Sequence, residues 1–312
     1  MPVLTIRHIT TYCYRQPVGF GEHRMMFRPR DAHDQRLIEA KLDITPRPAS
    51  LRFAHDVFGN HVGIARFEGR AEELRFDSTI RLDHAPEPAA ELELDDHAST
   101  LPFCYTAEEV PDLARYIERH HADPDNQVDR WARQYLRQDR PTGTLELLCA
   151  LNEAIHAGCT YLRRDEKGIQ EPVQTLKLGR GSCRDFALLM IEAARSLGLA
   201  ARFVSGYLAV PTDDADETSE GSTHAWMQVY LPGAGWIDFD PTSGSIGKGN
   251  LVAVAVVREP AQAVPLHGTW FGFPSDALGM TVEVIIGREE MTGDAGADES
   301  PGFSDLNSSA GF

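Results

Sequence analysis

Across the first 88 residues, apolar and polar positions alternate in short runs, at residues 4–14, 37–44, 61–67 and 74–82. A period of two marks half-buried strands. Turn-forming pieces such as Pro46-Arg47-Pro48 and Phe58-Gly59-Asn60 separate the runs. Residues 1–88 therefore predict an N-terminal β domain. The stretch from Ala85 to Asp95, rich in Ala, Pro and Glu, reads as a link between domains. Helical signals begin at Thr106, where Thr106-Ala107-Glu108-Glu109 fits a capping box. Residues 128–138 predict a second helix. Leu145, Leu148, Cys149, Asn152 and Ile155 form the inward stripe of a third, which Gly158 ends. Residues 89–142 thus read as a helical connecting region.

The period of 3.6 returns after Gly179-Arg180-Gly181-Ser182. Ala187, Met190, Ile191, Ala194 and Leu197 give a helix one long apolar face, and Cys183 stands at its N-terminal end. Alternation then resumes at residues 201–210, 223–231 and 236–239, with a further β-like piece at 282–286. Residues 251–290 read as a C-terminal β segment. Residues 291–312, rich in Gly, Ser, Asp and Ala, read as a disordered tail. Residues 211–222 carry Asp213, Asp214, Asp216, Glu217 and Glu220 and predict an exposed acidic loop. Their spacing is not that of an EF-hand, so a solvated loop is favoured over a calcium site.

Composition narrows the function. With 42% hydrophobic and 25% charged residues in 312, the chain has the makeup of a folded soluble protein. Its formal charge of −17 argues against nucleic acid and against anionic membrane surfaces as partners. The start lacks a basic segment followed by an apolar run, which predicts a cytoplasmic location. Five cysteines, an odd number, with no Cys-x-x-Cys pair, predict neither a disulfide framework nor a zinc site. Neither His-Glu-x-x-His nor Gly-x-Ser-x-Gly occurs, and no cofactor is expected. Cys13, Cys104, Cys149 and Cys159 read as structural.

Cys183 is the exception. A thiol at a helix start meets the positive end of the helix dipole, which favours thiolate. The unpaired amides there can also receive the oxyanion formed when a carbonyl is attacked. A buried core thiol would occupy the same place, and the segment alone leaves both readings open. Among the 12 histidines, His224 lies on a strand with Trp226, Gln228 and Tyr230 on its face. Pro232-Gly233-Ala234-Gly235 turns the chain into a second strand, so a His–carboxylate pair becomes possible. Asp238 and Asp240 share a face by parity, and alternation cannot choose between them.

Three blocks carry a resemblance: Gly181-Ser182-Cys183-Arg184-Asp185-Phe186-Ala187, then His224-Ala225-Trp226, then Gly235-Trp236 with Phe239-Asp240-Pro241-Thr242. Their order and separation resemble the Cys–His–Asp core of the transglutaminase-like superfamily of papain-like cysteine enzymes. The match spans about residues 145–247. The flanks, with His8-Ile9-Thr10-Thr11-Tyr12, Phe27-Arg28-Pro29-Arg30-Asp31, Gln35 and Phe58-Gly59-Asn60, are similar to the bacterial branch with an N-terminal β region. Gln228 departs from that pattern, standing where an acidic residue is frequent.

The resemblance implies an α+β papain-like core over residues 143–250, a helix bearing Cys183 packed on an antiparallel sheet. It also implies Cys183 as nucleophile, His224 as general base and acid, and Asp240 as the residue that orients the imidazole. A second oxyanion donor is expected before Cys183, with Gln174 and Tyr161 as candidates. Apart from the resemblance, Arg184 and Asp185 are expected to support the helix start through a local salt bridge. The implied activity is thiol-dependent acyl transfer on a peptide or protein substrate, through a thioester. Hydrolysis is favoured over transglutamination because an acceptor amine must compete with water at about 55 M. A non-catalytic peptide-binding or scaffold module is the rival reading.

Overall fold

The computed structural model describes residues 2–85, 92–163, 168–209, 219–247 and 249–290. The expected tail and most of the acidic loop lie outside these residues. Five strands come first: β1 (Pro2–Met25), β2 (Gln35–Thr45), β3 (Ser50–His55), β4 (His61–Arg66) and β5 (Arg70–His84). The short β6 (Thr100–Leu101), α1 (Val110–Ile117), α2 (Gln127–Arg133) and β7 (Thr142–Gly143) lead to α3 (Thr144–Gly158). Then come β8 (Thr160–Tyr161), α4 (Pro172–Leu178), β9 (Arg180–Gly181) and α5 (Cys183–Ser196). The chain continues through β10 (Ala201–Leu208), β11 (Ser219–Glu220), β12 (Ser222–Leu231), β13 (Gly235–Asp240) and β14 (Ser245–Ile246). It proceeds through β15 (Leu251–Val257), β16 (Leu266–Phe271) and β17 (Ala277–Glu290).

Two sheets organise these elements. The N-terminal sheet has eight strands and is built on β1, whose first half lies between β5 and β17 while its second half meets β16 and β4. The other sheet is antiparallel, in the order β14-β13-β12-β10-β15. One face of β12 (Ala225, Met227, Val229, Leu231) packs with the apolar stripe of α5 in the largest core cluster, which also takes in α3 and α2. This is a mixed α/β, papain-like arrangement with a preceding β region.

Residues 251–290, expected as one C-terminal segment, are divided between the sheets. Strand β15 completes the α5-bearing sheet, whereas β16 and β17 join β1 in the N-terminal one. Partners more than 260 residues apart, such as Leu4 and Arg288, leave no local mark in the sequence. Helix α1 also begins later than expected. Thr106 and Glu109 do exchange capping hydrogen bonds, Thr106 N donating to Glu109 Oε2 at 2.9 Å. Regular helix starts only at Val110, because Pro111 is tolerated in the first turn and not deeper.

The N-terminal sheet docks along the outer edge of β15, where backbone groups would otherwise lack partners. Asn60, fully buried, acts as a strand substitute: its Oδ1 accepts Val256 N at 2.9 Å and its Nδ2 donates to Val256 O at 2.9 Å. Gln35 Nε2 donates to Ala253 O at 2.9 Å, and a ring N–H of His84 reaches Leu251 O at 3.3 Å. Behind them Leu4, Ile6, Ile80, Leu82, Val284 and Ile286 pack on Tyr207, Val252 and Val254. His8 lies in this seam, 2.9 Å from the Tyr207 hydroxyl, and burial pulls its imidazole down to about 4. The flanking motifs thus act where the two sheets meet.

Candidate active site

Cys183 is the first residue of α5, and Ser182 is its N-cap. The turn before it is held by Asp185, which is fully buried. One carboxylate oxygen accepts Ser182 N and Ser182 Oγ, each at 2.8 Å, and the other accepts Gln170 N at 2.7 Å. Gln170 Nε2 in turn donates to Arg180 O at 2.9 Å. A Cβ at Gly181 would stand 2.9 Å from Asp185 Cβ, so this close approach needs glycine. Parallel pairing of β8 with β9 sets Tyr161 beside Gly181, two residues from the thiol. Asp185 thus has the supporting role expected of it, with these donors as its means.

His224 enters from β12, directly opposite Gly206 of β10. At Gly206 the register between β10 and β15 slips by a bulge, and an added Cβ would lie 2.0 Å from Val252 O and 2.9 Å from the Trp226 ring. Bulges of this kind re-aim neighbouring side chains. His224 Nε2 lies 2.9 Å from Asp240 Oδ2, and Cys183 is near enough to act on the same imidazole. With Nε2 committed to Asp240, Nδ1 is the nitrogen left for sulfur. Burial pulls the imidazole down, but the hydrogen bonds and charges of Asp240 and Cys183 outweigh it and raise the group to about 9. Its charged form therefore persists at neutral pH.

Asp240 is fully buried. Burial alone would raise its carboxyl. The bonds to His224, Ser243 and Thr242 prevail and hold it below the usual carboxylate range. Ser243 Oγ donates to Oδ2 at 2.6 Å and Thr242 N to Oδ1 at 3.0 Å.

Asp238, its rival by parity, is used elsewhere. It accepts Trp226 Nε1 at 2.5 Å and Gln228 Nε2 at 2.9 Å. Gln228 Oε1 accepts Arg202 Nε at 2.8 Å, and the Arg202 guanidinium lies 3.8 Å over the Trp236 ring. The hairpin register explains the division. Met227 faces Phe239, so Asp240 falls at the end of β13 nearest His224, and Asp238 faces Gln228.

The two candidate oxyanion donors differ in place. Tyr161 packs edge-on to Phe186, ring centroids 6.5 Å apart, and Phe186 is one helical turn beyond Cys183. Burial, and after it the Cys183 charge, push the Tyr161 phenol up, while Arg163 and Arg184 pull it down. All three groups therefore lie within electrostatic reach of that hydroxyl. Gln174 lies on the exposed side of α4. Ser243, Gln170 and Gly206 were not anticipated. For Ser243 a signal existed, a hydroxyl three residues beyond an Asp-Pro turn.

Comparison with known proteins bears on the family and the fold. Residues 129–241 match the transglutaminase-like superfamily, and residues 4–83 match the bacterial transglutaminase-like N-terminal region. The chain thus carries a transglutaminase-like core preceded by the N-terminal region of the bacterial branch. An uncharacterized protein of Mycobacterium tuberculosis is 27% identical over 299 residues, which is 93% of each chain. One from Mycobacterium leprae is 28% identical over 300 residues, covering 90% of this chain and 98% of that protein. A crystal structure of a candidate cysteine protease from Cytophaga hutchinsonii has a TM-score of 0.66 at 19% identity. That likeness covers 97% of this chain and 94% of the other, and it concerns the fold.

Proposed function

We propose that this protein is a thiol-dependent acyl-transfer enzyme, a cysteine peptidase or amidase that hydrolyses peptide or protein amides. The observation that carries the reading is the line Cys183–His224–Asp240 at the start of α5, with the imidazole raised to about 9 by its two partners. In this mechanism the Cys183 proton already rests on the His224 imidazolium, whose Nδ1 faces the sulfur, and the thiolate attacks the substrate carbonyl. The oxyanion meets the Cys183 amide and the Tyr161 hydroxyl. His224 then protonates the leaving amine as the C–N bond breaks, which leaves a thioester on Cys183. Water, deprotonated by His224, attacks the thioester and releases the carboxylic acid, which leaves the thiolate beside the imidazolium again. Asp240 holds the ring in the tautomer this exchange requires.

The reading is tested by iodoacetamide labelling of Cys183 across pH, with peptide mass mapping, in the unaltered protein and in His224→Ala. Rapid labelling below about pH 7 that slows with His224→Ala is expected for a thiolate–imidazolium pair. Labelling that begins only near about pH 8.5 in both proteins would defeat it. If a glutamine substrate incorporated a fluorescent amine faster than it was hydrolysed, transglutamination would replace hydrolysis.

A further inference from the structure

The Asp240 carboxylate is held from two sides. His224 Nε2 reaches Oδ2 at 2.9 Å, and from the loop after β13 Ser243 Oγ donates to the same oxygen at 2.6 Å. The direction of the Ser243 bond is forced, because an ionised carboxylate only accepts. Its single proton is thereby spent, so Ser245 is the donor where the two serine hydroxyls meet at 2.8 Å. Ser245 N adds a longer bond to Ser243 Oγ at 3.3 Å. Ser243 thus uses its proton and both lone pairs within the protein, although the residue is exposed. The loop is in turn fastened to α3. Asn152 Nδ2 donates to Ser245 O at 3.2 Å, and His156 Nδ1 donates to Thr242 O at 2.9 Å. Between them Gly244, at φ +78°, runs so close to α3 that a Cβ would stand 3.0 Å from the His156 ring.

We propose that Ser243 is a positioning residue for acyl transfer: held by Ser245 and by a loop tied to α3, its hydroxyl fixes the Asp240 carboxylate with Oδ2 turned to His224. The proposal rests on the reading of Cys183, His224 and Asp240 as the reacting line and adds the group that sets its last member. Thr242 N holds only Oδ1, and a carboxylate pinned at one oxygen from the loop side can still turn about its Cβ–Cγ bond. A second donor on Oδ2 stops that turn, and an O–H···O⁻ bond of this length is charge-assisted and strong. His224 keeps its proton while Oδ2 faces Nε2, so a loosened carboxylate holds the imidazolium less firmly. The titratable groups facing the imidazole are Cys183 from α5 and Asp240 from β13; those facing the loop are His156 and Glu153 from α3.

Iodoacetate tests this. As an anion it labels Cys183 fastest when thiolate and imidazolium coexist, so its rate against pH is a bell whose acid side reports the thiol and whose alkaline side reports the imidazolium. In the unaltered protein the alkaline midpoint should lie at about 9. In S243A it should fall to about 8, about a tenfold loss of proton affinity, within what one hydrogen bond to a charged group supplies. The acid side should stay in place. S243T, which keeps the hydroxyl, should restore the midpoint of the unaltered protein. An unmoved midpoint in S243A overturns the proposal and leaves the reacting line standing. So does a midpoint that rises, which would mean that the hydroxyl competes with His224 for Oδ2, and so does S243T behaving like S243A. If Cys183 of the unaltered protein shows no bell, the reacting line and the role of Ser243 fall together.

Discussion

Asn60→Ala tests how firmly the two sheets are joined. The Asn60 amide pairs with both backbone groups of Val256, at 2.9 Å each, and Asn60 itself has no exposed surface. Alanine removes the amide and leaves the Val256 N–H and C=O, on a strand edge already covered by the N-terminal sheet, without partners. A buried polar group left unpaired costs about 1–3 kcal/mol, so two of them predict a loss of about 2–6 kcal/mol. The bond from Asn60 Nδ2 to Asp56 Oδ2, 2.9 Å, disappears as well and keeps the value away from the lower end. Equilibrium unfolding in urea, followed by far-UV circular dichroism, measures it. Asn60→Asp should fare no better, since it keeps an acceptor for Val256 N but loses the donor and sets a second carboxylate beside Asp56. A loss below about 1 kcal/mol with an unchanged slope would refute the strand-substitute argument. A curve that splits into two transitions would show the sheets unfolding separately once the amide is gone.

Asp240→Ala should slow Cys183 alkylation at neutral pH and move the loss of imidazolium charge below about 9, because the carboxylate that raises His224 is removed. Asp238→Ala should keep that pH profile and cost stability instead, by leaving Trp226 Nε1 and Gln228 Nε2 unpaired; the reverse pattern would exchange their roles. Stability should peak near about pH 6.5, the ordinary histidine value. On the acid side, His8 is held neutral down to about 4, so its contribution is complete above the unfolded value and drains away as pH falls. On the alkaline side, His224 and His121 are both raised to about 9, His121 chiefly by its bond to Glu259. Their contribution is complete below the unfolded value and is lost as pH rises through 9. Thermal unfolding scanned from acid to alkaline pH measures the balance, and a Tm that climbs steadily to the alkaline end would contradict it.

What was legible in the sequence was what is local. The α5 stripe, the β12–β13 hairpin and the alternation of β5 follow from side chains that repeat within one element. Asp238 and Asp240 could not be separated because parity is blind to position along a strand, and the deciding fact is which end of β13 lies nearest His224. The bulge at Gly206 was hidden because a strand glycine has many causes, and its cause here is Val252 O on another strand. Asn60 was visible as part of a motif, yet its partner is 196 residues away.

The pairing of β1 with β17 bears on how the molecule comes into being. As the chain is made, Cys183, His224 and Asp240 all precede β17, which lines β1 from Pro2 to Tyr14. That strand also binds the approach to His224: Ser219 and Glu220 pair with Ile286 and Ile285, and Gly221 N donates to Val284 O at 3.0 Å. A growing polypeptide could carry every reacting group before it owns the strand that flanks one of them. Contacts this distant in sequence form late. Strand β17 is therefore made after Cys183, His224 and Asp240, and the backbone support it gives to residues 219–221 is in place only once the chain has been made through it.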